Sequence, residues 1–276
     1  MNPHDHTYKN LVRNIYDFGH DKGDRTNTGT RSLFSERMEF FVRDSFPLLT
    51  LKHTPFRLVA EELLWFIEGG SNGRMNERDL AARNVHFWKP WASEDGDLGP
   101  VYGAQWRSWP MPDGTRHDQL LECQNKLIHN PDDRRIIVSS WNVSELGDMA
   151  LPPCHLLFQF YSFEVEGQRY LDLQLYQRSC DFALGVPMNY ASYTLLLYMM
   201  AKTTDHIPNR FIWLGGDCHI YNNHFDGVKE MLQRDPYPAP KLNIKTKRNN
   251  IDEYTIDDFE LIGYDYHPKI SFEVAV

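Results

Sequence analysis

The sequence predicts an α+β fold, a single domain in which a large mixed sheet packs with helices. Three observations carry that expectation. The chain has 276 residues with no repeat, low-complexity stretch or Ser/Gly linker to divide it. Helical and strand patterns mix irregularly along it, as one α+β domain would show. Hydrophobic residues make up 41% and aromatics 13%, enough for a large core.

Taken in order, residues 7–18 read as an amphipathic helix, because Leu11, Ile15 and Phe18 recur at helical spacing. The clearest helix covers 55–68. Thr54 can cap it, Pro55 suits its first position, and Gly69-Gly70 ends it. Residues 89–97 read as a polar loop. Strands are expected over 135–141, 156–162 and 170–178, which are rich in β-branched, aromatic or alternating residues. In the last, Leu171, Leu173 and Leu175 point one way, and Tyr170, Asp172, Gln174, Tyr176 and Arg178 the other. A largely apolar, central helix follows over 188–203. Residues 210–214 and 253–256 are further candidate strands. A helix is expected over 219–234, with Pro236 just past its end and a Pro-rich loop at 235–240.

Composition excludes several classes. A formal net charge of −9 makes a poor generic nucleic-acid binder, so the arginines matter locally. No apolar run approaches the ~20 residues that span a bilayer, and the N-terminus lacks a signal-peptide core. A cytoplasmic protein without membrane association is expected. None of Cys123, Cys154, Cys180 and Cys218 forms a CxxC pair. No metal is therefore expected, and the thiols should be free.

Some residues could carry chemistry. Cys154, in Leu151-Pro-Pro-Cys-His155, falls just before an apolar strand, where two prolines could hold a thiol at a strand end. Nearby positive charge would make it a nucleophile; a small buried hydrophobe is the plainer reading. Glu62 has Leu58, Val59, Trp65 and Phe66 as helical neighbours, so its carboxylate lies on an apolar face. Burial would raise its pKa and suit it to proton relay; a tie to backbone or water is the alternative. Glu61, one step round, should be solvated.

Arg25 sits in Asp-Arg-Thr-Asn-Thr-Gly-Thr30, which could wrap a phosphate. Arg178 and the pair Arg134-Arg135 are further anion candidates, although surface ion pairs would explain each. Asn189, at the start of an apolar helix, offers the donor and acceptor that a uracil edge requires, or a helix cap. His219 and Tyr221 alternate around Ile220 and could bond a sugar hydroxyl.

In order, these segments resemble the thymidylate synthase family from Arg25 to Val276. The most specific stretches are Phe46-Pro-Leu-Leu-Thr50, Glu62-Leu-Leu-Trp-Phe66, Leu98-Gly-Pro-Val-Tyr-Gly103, Asp133-Arg-Arg-Ile-Ile137 and Pro153-Cys-His155. Tyr176-Gln-Arg-Ser-Cys-Asp181, Pro187 with Asn189, Gly216-Asp217 with His219, Tyr221 and His224, and the Val274-Ala-Val276 end complete them.

The resemblance implies a homodimer, formed through the sheet, that takes deoxyuridylate (dUMP) and 5,10-methylenetetrahydrofolate. It implies that Cys154 adds to C6 of uracil, so that C5 accepts the one-carbon unit. Arg25, Arg178 and Ser179 would hold the phosphate, and Arg134 and Arg135 would reach the other subunit's phosphate. These cations would favour the Cys154 thiolate. Gln177 and Asn189 would contact the nucleotide, and His219 and Tyr221 the ribose. Glu62 would relay protons with Tyr102 and His155 nearby. Asp181 would bond the pterin; Lys52, Phe87, Trp88, Leu151, Gly185, Met188, Ala275 and Val276 would line the folate side.

The chain departs from the family pattern at Asn27, where glycine is usual, and at Thr50-Leu-Lys-His53, Phe87-Trp-Lys89 and Pro187-Met-Asn-Tyr190. Two activities stay open: methylation with reduction, releasing dihydrofolate, or hydroxymethylation, in which water adds to the transferred carbon. Trp88 and Leu151 favour the first; Lys89, Met188 and Tyr190 favour the second. Asn189 argues against a cytosine substrate. Intact Cys154, Glu62, Arg178 and Asn189 argue against a non-catalytic nucleotide- or RNA-binding homologue.

Overall fold

The computed structural model describes residues 2–274; Ala275 and Val276, expected on the folate side, lie outside them. Six strands form one mixed sheet, in the order His20–Lys22, Thr30–Phe41, Ile207–Tyr221, Gln168–Asp181, His155–Val165, Ile137–Ser139. The pair 207–221 and 168–181 is parallel; the other neighbours are antiparallel.

Strand pleating gives the sheet two different faces. Register aligns Met38, Trp213, Leu175, Phe158 and Val138 on one face, and all five are buried. The helices Pro3–Phe18 and Gly185–Thr203 pack over that side. Opposite, Arg37, Leu214, Tyr176 and Leu157 align one residue along, and Phe41, Tyr161 and Tyr176 stay exposed. The alternation expected across 170–178 is therefore present.

The ladder skips three adjacent positions, Ser35, Gly216 and Arg178, and Ser35 has φ 69°. This irregular line crosses the sheet where Cys154 joins it, since the Arg178 amide donates to the Cys154 carbonyl at 2.8 Å.

Several boundaries differ from expectation for local reasons. The first helix starts at Pro3, because the Asn2 side chain accepts the Asp5 amide at 3.2 Å. Pro55 takes the cap position of Phe56–Glu68, and the Thr54 hydroxyl makes no capping bond. Glu61 is buried, not solvated; Arg57 and Arg83 stand 3.6 and 3.7 Å from it. The strand expected from 135 begins at Ile137. No helix runs over 219–234: His219 and Tyr221 end a 15-residue strand, and the helix is Phe225–Gln233. Residues 253–256 form no strand, because Asn250 and the Thr255–Asp258 capping box wind short 3-10 turns there. The strand is Phe259–Ile262, paired with Lys241–Ile244.

Candidate active site

Cys154 is half-buried just before the strand 155–165. Three bonds from one residue fix its approach. Arg178 donates its amide to the Cys154 carbonyl, its Nε to Pro153 O at 2.8 Å and an Nη to Pro152 O at 2.8 Å. Its guanidinium lies 5.4 Å from the Trp141 ring centroid. The Tyr102 hydroxyl accepts the Cys154 amide at 2.9 Å. Burial pushes the thiol up; Arg178, the Ser179 and Tyr102 hydroxyls and Arg25 pull it back. The expected thiolate bias therefore exists in direction, but burial outweighs it in the isolated chain. The other three cysteines are buried, and all four are free.

Tyr102 adopts φ 35°, ψ −93°, a conformation that costs an L residue roughly 1–3 kcal/mol. The close approach that holds it involves Gly103, where a Cβ would sit 2.3 Å from the Phe66 carbonyl. This brings the Tyr102 ring 5.0 Å from Phe66 and 4.3 Å from His155.

Glu62 is buried beside this cluster, and the Trp88 indole donates to its Oε1 at 2.7 Å. Burial pushes its carboxyl up to about 7, which the Trp88 bond partly offsets. A carboxyl there can give or take a proton near neutrality. Its neighbour His155 behaves differently. Burial pushes its pKa down to about 3, and its Nδ1 pairs with the Tyr193 hydroxyl at 2.8 Å. His155 is thus neutral near pH 7.

Asn189 lies within the first turns of helix 185–203 and does not cap it. Its Oδ1 accepts from Gln177 Nε2 at 3.0 Å, while Gln177 Oε1 accepts from Trp213 at 3.0 Å. That chain fixes the amide orientation, leaving its Nδ2 as donor. Asp181 accepts the Ala183 and Leu184 amides at 2.9 and 3.2 Å in the turn that leads into the helix, whose cap residue is Leu184. Tyr221 lies close to this group: burial pushes its hydroxyl up to about 12, with Asp181, Asp24 and Cys154 adding and Arg25 subtracting. His219 Nδ1 lies 3.1 Å from Asp217, which also pairs with Lys22.

Arg25 is exposed in a loop tied by Asp24, whose carboxylate accepts the Thr26 and Gly29 amides at 2.9 and 2.8 Å. Asn27 has φ 60°, the left-handed region that Asn tolerates best after glycine, so that departure keeps the loop shape.

A protein-family model described as Thymidylate synthase matches residues 6–276. The chain belongs to the thymidylate synthase family. Membership makes it a one-carbon transferase that acts on dUMP and uses methylenetetrahydrofolate as co-substrate.

Other thymidylate synthase positions sort by distance. Lys52 is buried, and burial pulls its ammonium down to about 8, against the Asp181 charge that raises it. Trp88 is buried; Phe87, Leu151, Gly185 and Met188 are half-buried. An ammonium, a carboxylate and apolar walls fit a flat aromatic ligand that carries carboxylates. Arg134 and Arg135 do not join Cys154 within this chain. Gln159 donates to the Arg134 carbonyl at 3.1 Å, five residues along the strand and so about 15 Å from Cys154. Both are exposed, and Arg135 pairs with its neighbour Asp133 at 3.1 Å.

Sequence reasoning passed over Trp141 and Tyr193. Tyr193 stands four residues after Asn189, one turn along the same helix face, a spacing that could have flagged it. Trp141 carried no such signal. Among the described residues, no group of three or more His, Cys, Asp or Glu side chains could hold a metal, and no helix is long and apolar enough to cross a membrane.

Proposed function

We propose that this enzyme converts dUMP to thymidylate (dTMP) by one-carbon transfer and reduction, releasing dihydrofolate. Arg25, Arg178 and Ser179 hold the phosphate, His219 and Tyr221 the ribose, and Asn189 with Gln177 the uracil edge. Cys154 Sγ bonds to C6, which turns C5 into an enolate-like nucleophile. The folate supplies a carbon at the methylene oxidation level and then a hydride. Glu62 exchanges a proton with the uracil O4 region, with Tyr102 and neutral His155 fixing the geometry. Lys52, Asp181, Trp88, Leu151 and Met188 orient the folate.

The exposed sheet face supports a homodimer, because Phe41, Tyr161 and Tyr176 would be covered there. Arg134 and Arg135 of such a dimer would serve the second subunit's phosphate, and the added cations would draw the Cys154 thiol down.

The observation that carries the reading is the convergence of Arg178, Ser179, Tyr102 and Arg25 on one half-buried thiol, beside a carboxyl at about 7. Reduction rather than hydration is favoured because two departures turn away from the chemistry. Tyr190 is buried against Tyr8 and Phe40, 6.1 and 5.0 Å between ring centroids. Lys89 is exposed. Trp88, which roofs Glu62, is kept. The test is incubation with dUMP and methylenetetrahydrofolate. A rise in dihydrofolate absorbance and a methylated nucleotide are expected. A heavier, hydroxylated nucleotide with tetrahydrofolate recovered would leave deoxyuridylate hydroxymethylase as the activity.

A further inference from the structure

The segment from Ile270 to Val274 passes Lys52, of the proposed folate half, and is itself neither strand nor helix. Specific side chains therefore have to hold it. His224 is buried at 1% exposure, and its Nε2 lies 2.8 Å from the Glu273 carbonyl. A carbonyl only accepts, so Nε2 carries the proton. The opposite nitrogen, Nδ1, is buried and has no hydrogen-bond partner among the described residues. Among the described residues, the Glu273 carbonyl is the imidazole's one hydrogen-bond partner. Its ring packs 4.9 Å from Phe272 and 5.6 Å edge-on from Tyr221.

A second contact presses the same segment from the next turn. A Cβ on Gly227 would meet the Phe272 ring at 2.6 Å and Ile270 at 2.9 Å. Gly227 has no left-handed φ to explain it. The close approach of the segment explains it instead. Beyond Phe272 lies Lys52, whose ammonium stands 5.7 Å from the ring centroid.

We propose that His224 is a positioning residue that pins the 270–274 strap to helix 225–233, so that Phe272 covers Lys52 and completes the folate wall. This rests on the functional reading above, and names the residue that holds its folate half together. The Tyr221 ring contact places the pin next to the nucleotide half, yet the bond itself reaches only the strap. Its loss should therefore be felt by one substrate and not the other.

The test uses His224→Gln, His224→Ala and, independently, Gly227→Ala in the full chain. Gly227→Ala keeps the imidazole and raises helix propensity, so it displaces the strap without weakening the helix. Two readings are taken. Chymotryptic cleavage after Phe272, followed by mass, needs no ligand and no turnover. His224→Ala and Gly227→Ala should be cut at least about fivefold faster than wild type, the scale of one lost hydrogen bond. Steady-state kinetics should then show KM for methylenetetrahydrofolate raised about five- to tenfold, with dUMP affinity within about twofold. His224→Gln, which keeps an N–H donor, should recover part of both effects. Unchanged cleavage in both His224→Ala and Gly227→Ala would overturn the proposal. So would equal weakening of dUMP and folate, the mark of a merely structural role. Absence of folate-dependent turnover in the wild type would count against the functional reading, while the cleavage result would still decide the strap.

Discussion

The two halves of the proposed site are built differently. The proposed nucleotide half sits at strand ends: register sets Gln177, Ser179, His219 and Tyr221, and the bond from the Arg178 amide to the Cys154 carbonyl joins those two residues where the ladder is irregular. The folate half is assembled from distant segments through single side-chain contacts, Trp88 to Glu62, Phe272 over Lys52 and His224 to Glu273. A strand cannot slip by one residue without turning every side chain over, so the first half tolerates little change. The second can absorb substitutions one contact at a time, and the departures at His53, Phe87, Lys89 and Met188 fall in the segments that would form it.

That contrast can be broken or sharpened by substitution, in descending order of effect. Cys154→Ala should abolish turnover, a loss on the order of 10⁵-fold or more, while dUMP binding persists because the phosphate and base contacts remain. Retained turnover, followed by product mass, would refute a nucleotide half organised around that sulfur.

Glu62→Gln should lower kcat by about 10²- to 10⁴-fold, and it carries a second signature in stability. The Glu62 carboxyl rises from 4.5 to about 7 on folding. Its stabilising contribution is therefore full below pH 4.5 and is lost as pH rises through about 7. The neutral variant should be more stable than wild type at pH 8, by on the order of 2 kcal/mol, and should converge with it near pH 4. Denaturant melts at the two pH values measure this. Asp5, also raised to about 7 by burial, is present in both proteins and cancels.

Trp88→Phe should cost about tenfold in kcat/KM through lost packing and a lost bond to a carboxylate. The Trp88 bond holds the Glu62 pKa down, so the Glu62-dependent limb of the pH–rate profile should move to higher pH. The smallest effect belongs to the nucleotide half. Asn27→Gly should change stability by no more than about 0.5 kcal/mol, whereas Asn27→Ala should cost about 1 kcal/mol, because alanine resists the left-handed backbone. Thermal melts separate the two.

The same contrast governs what the sequence reveals. Leu171, Leu173 and Leu175 announce a strand with a buried face, and Glu62 stands out among apolar helical neighbours; both signals are local. The strand 30–41 escaped notice because charged residues interrupt its alternation and Ser35 breaks it midway. Residues 219–221 looked helical by continuity with 225–233, although pairing with 30–41, joined at His219 by pairing with Asp181, holds them as strand. Tertiary pairing overrides local preference there. Trp141, Tyr193 and the bond from His224 to Glu273 depend on contacts between distant segments, which no spacing rule encodes. The net direction of the Cys154 pKa was also invisible, because a sequence displays the arginines but not the depth of burial that opposes them.

The central claim is that the Cys154 sulfur bonds to a uracil ring carbon. Fluorine at C5 cannot leave as a cation, so 5-fluorodeoxyuridylate with methylenetetrahydrofolate should halt the reaction with the adduct intact. Mass spectrometry of the denatured, digested protein should find both molecules on the peptide that contains Cys154, and nothing on the Cys154→Ala chain. An unmodified Cys154 peptide, or an adduct on Cys123, Cys180 or Cys218, would contradict the account.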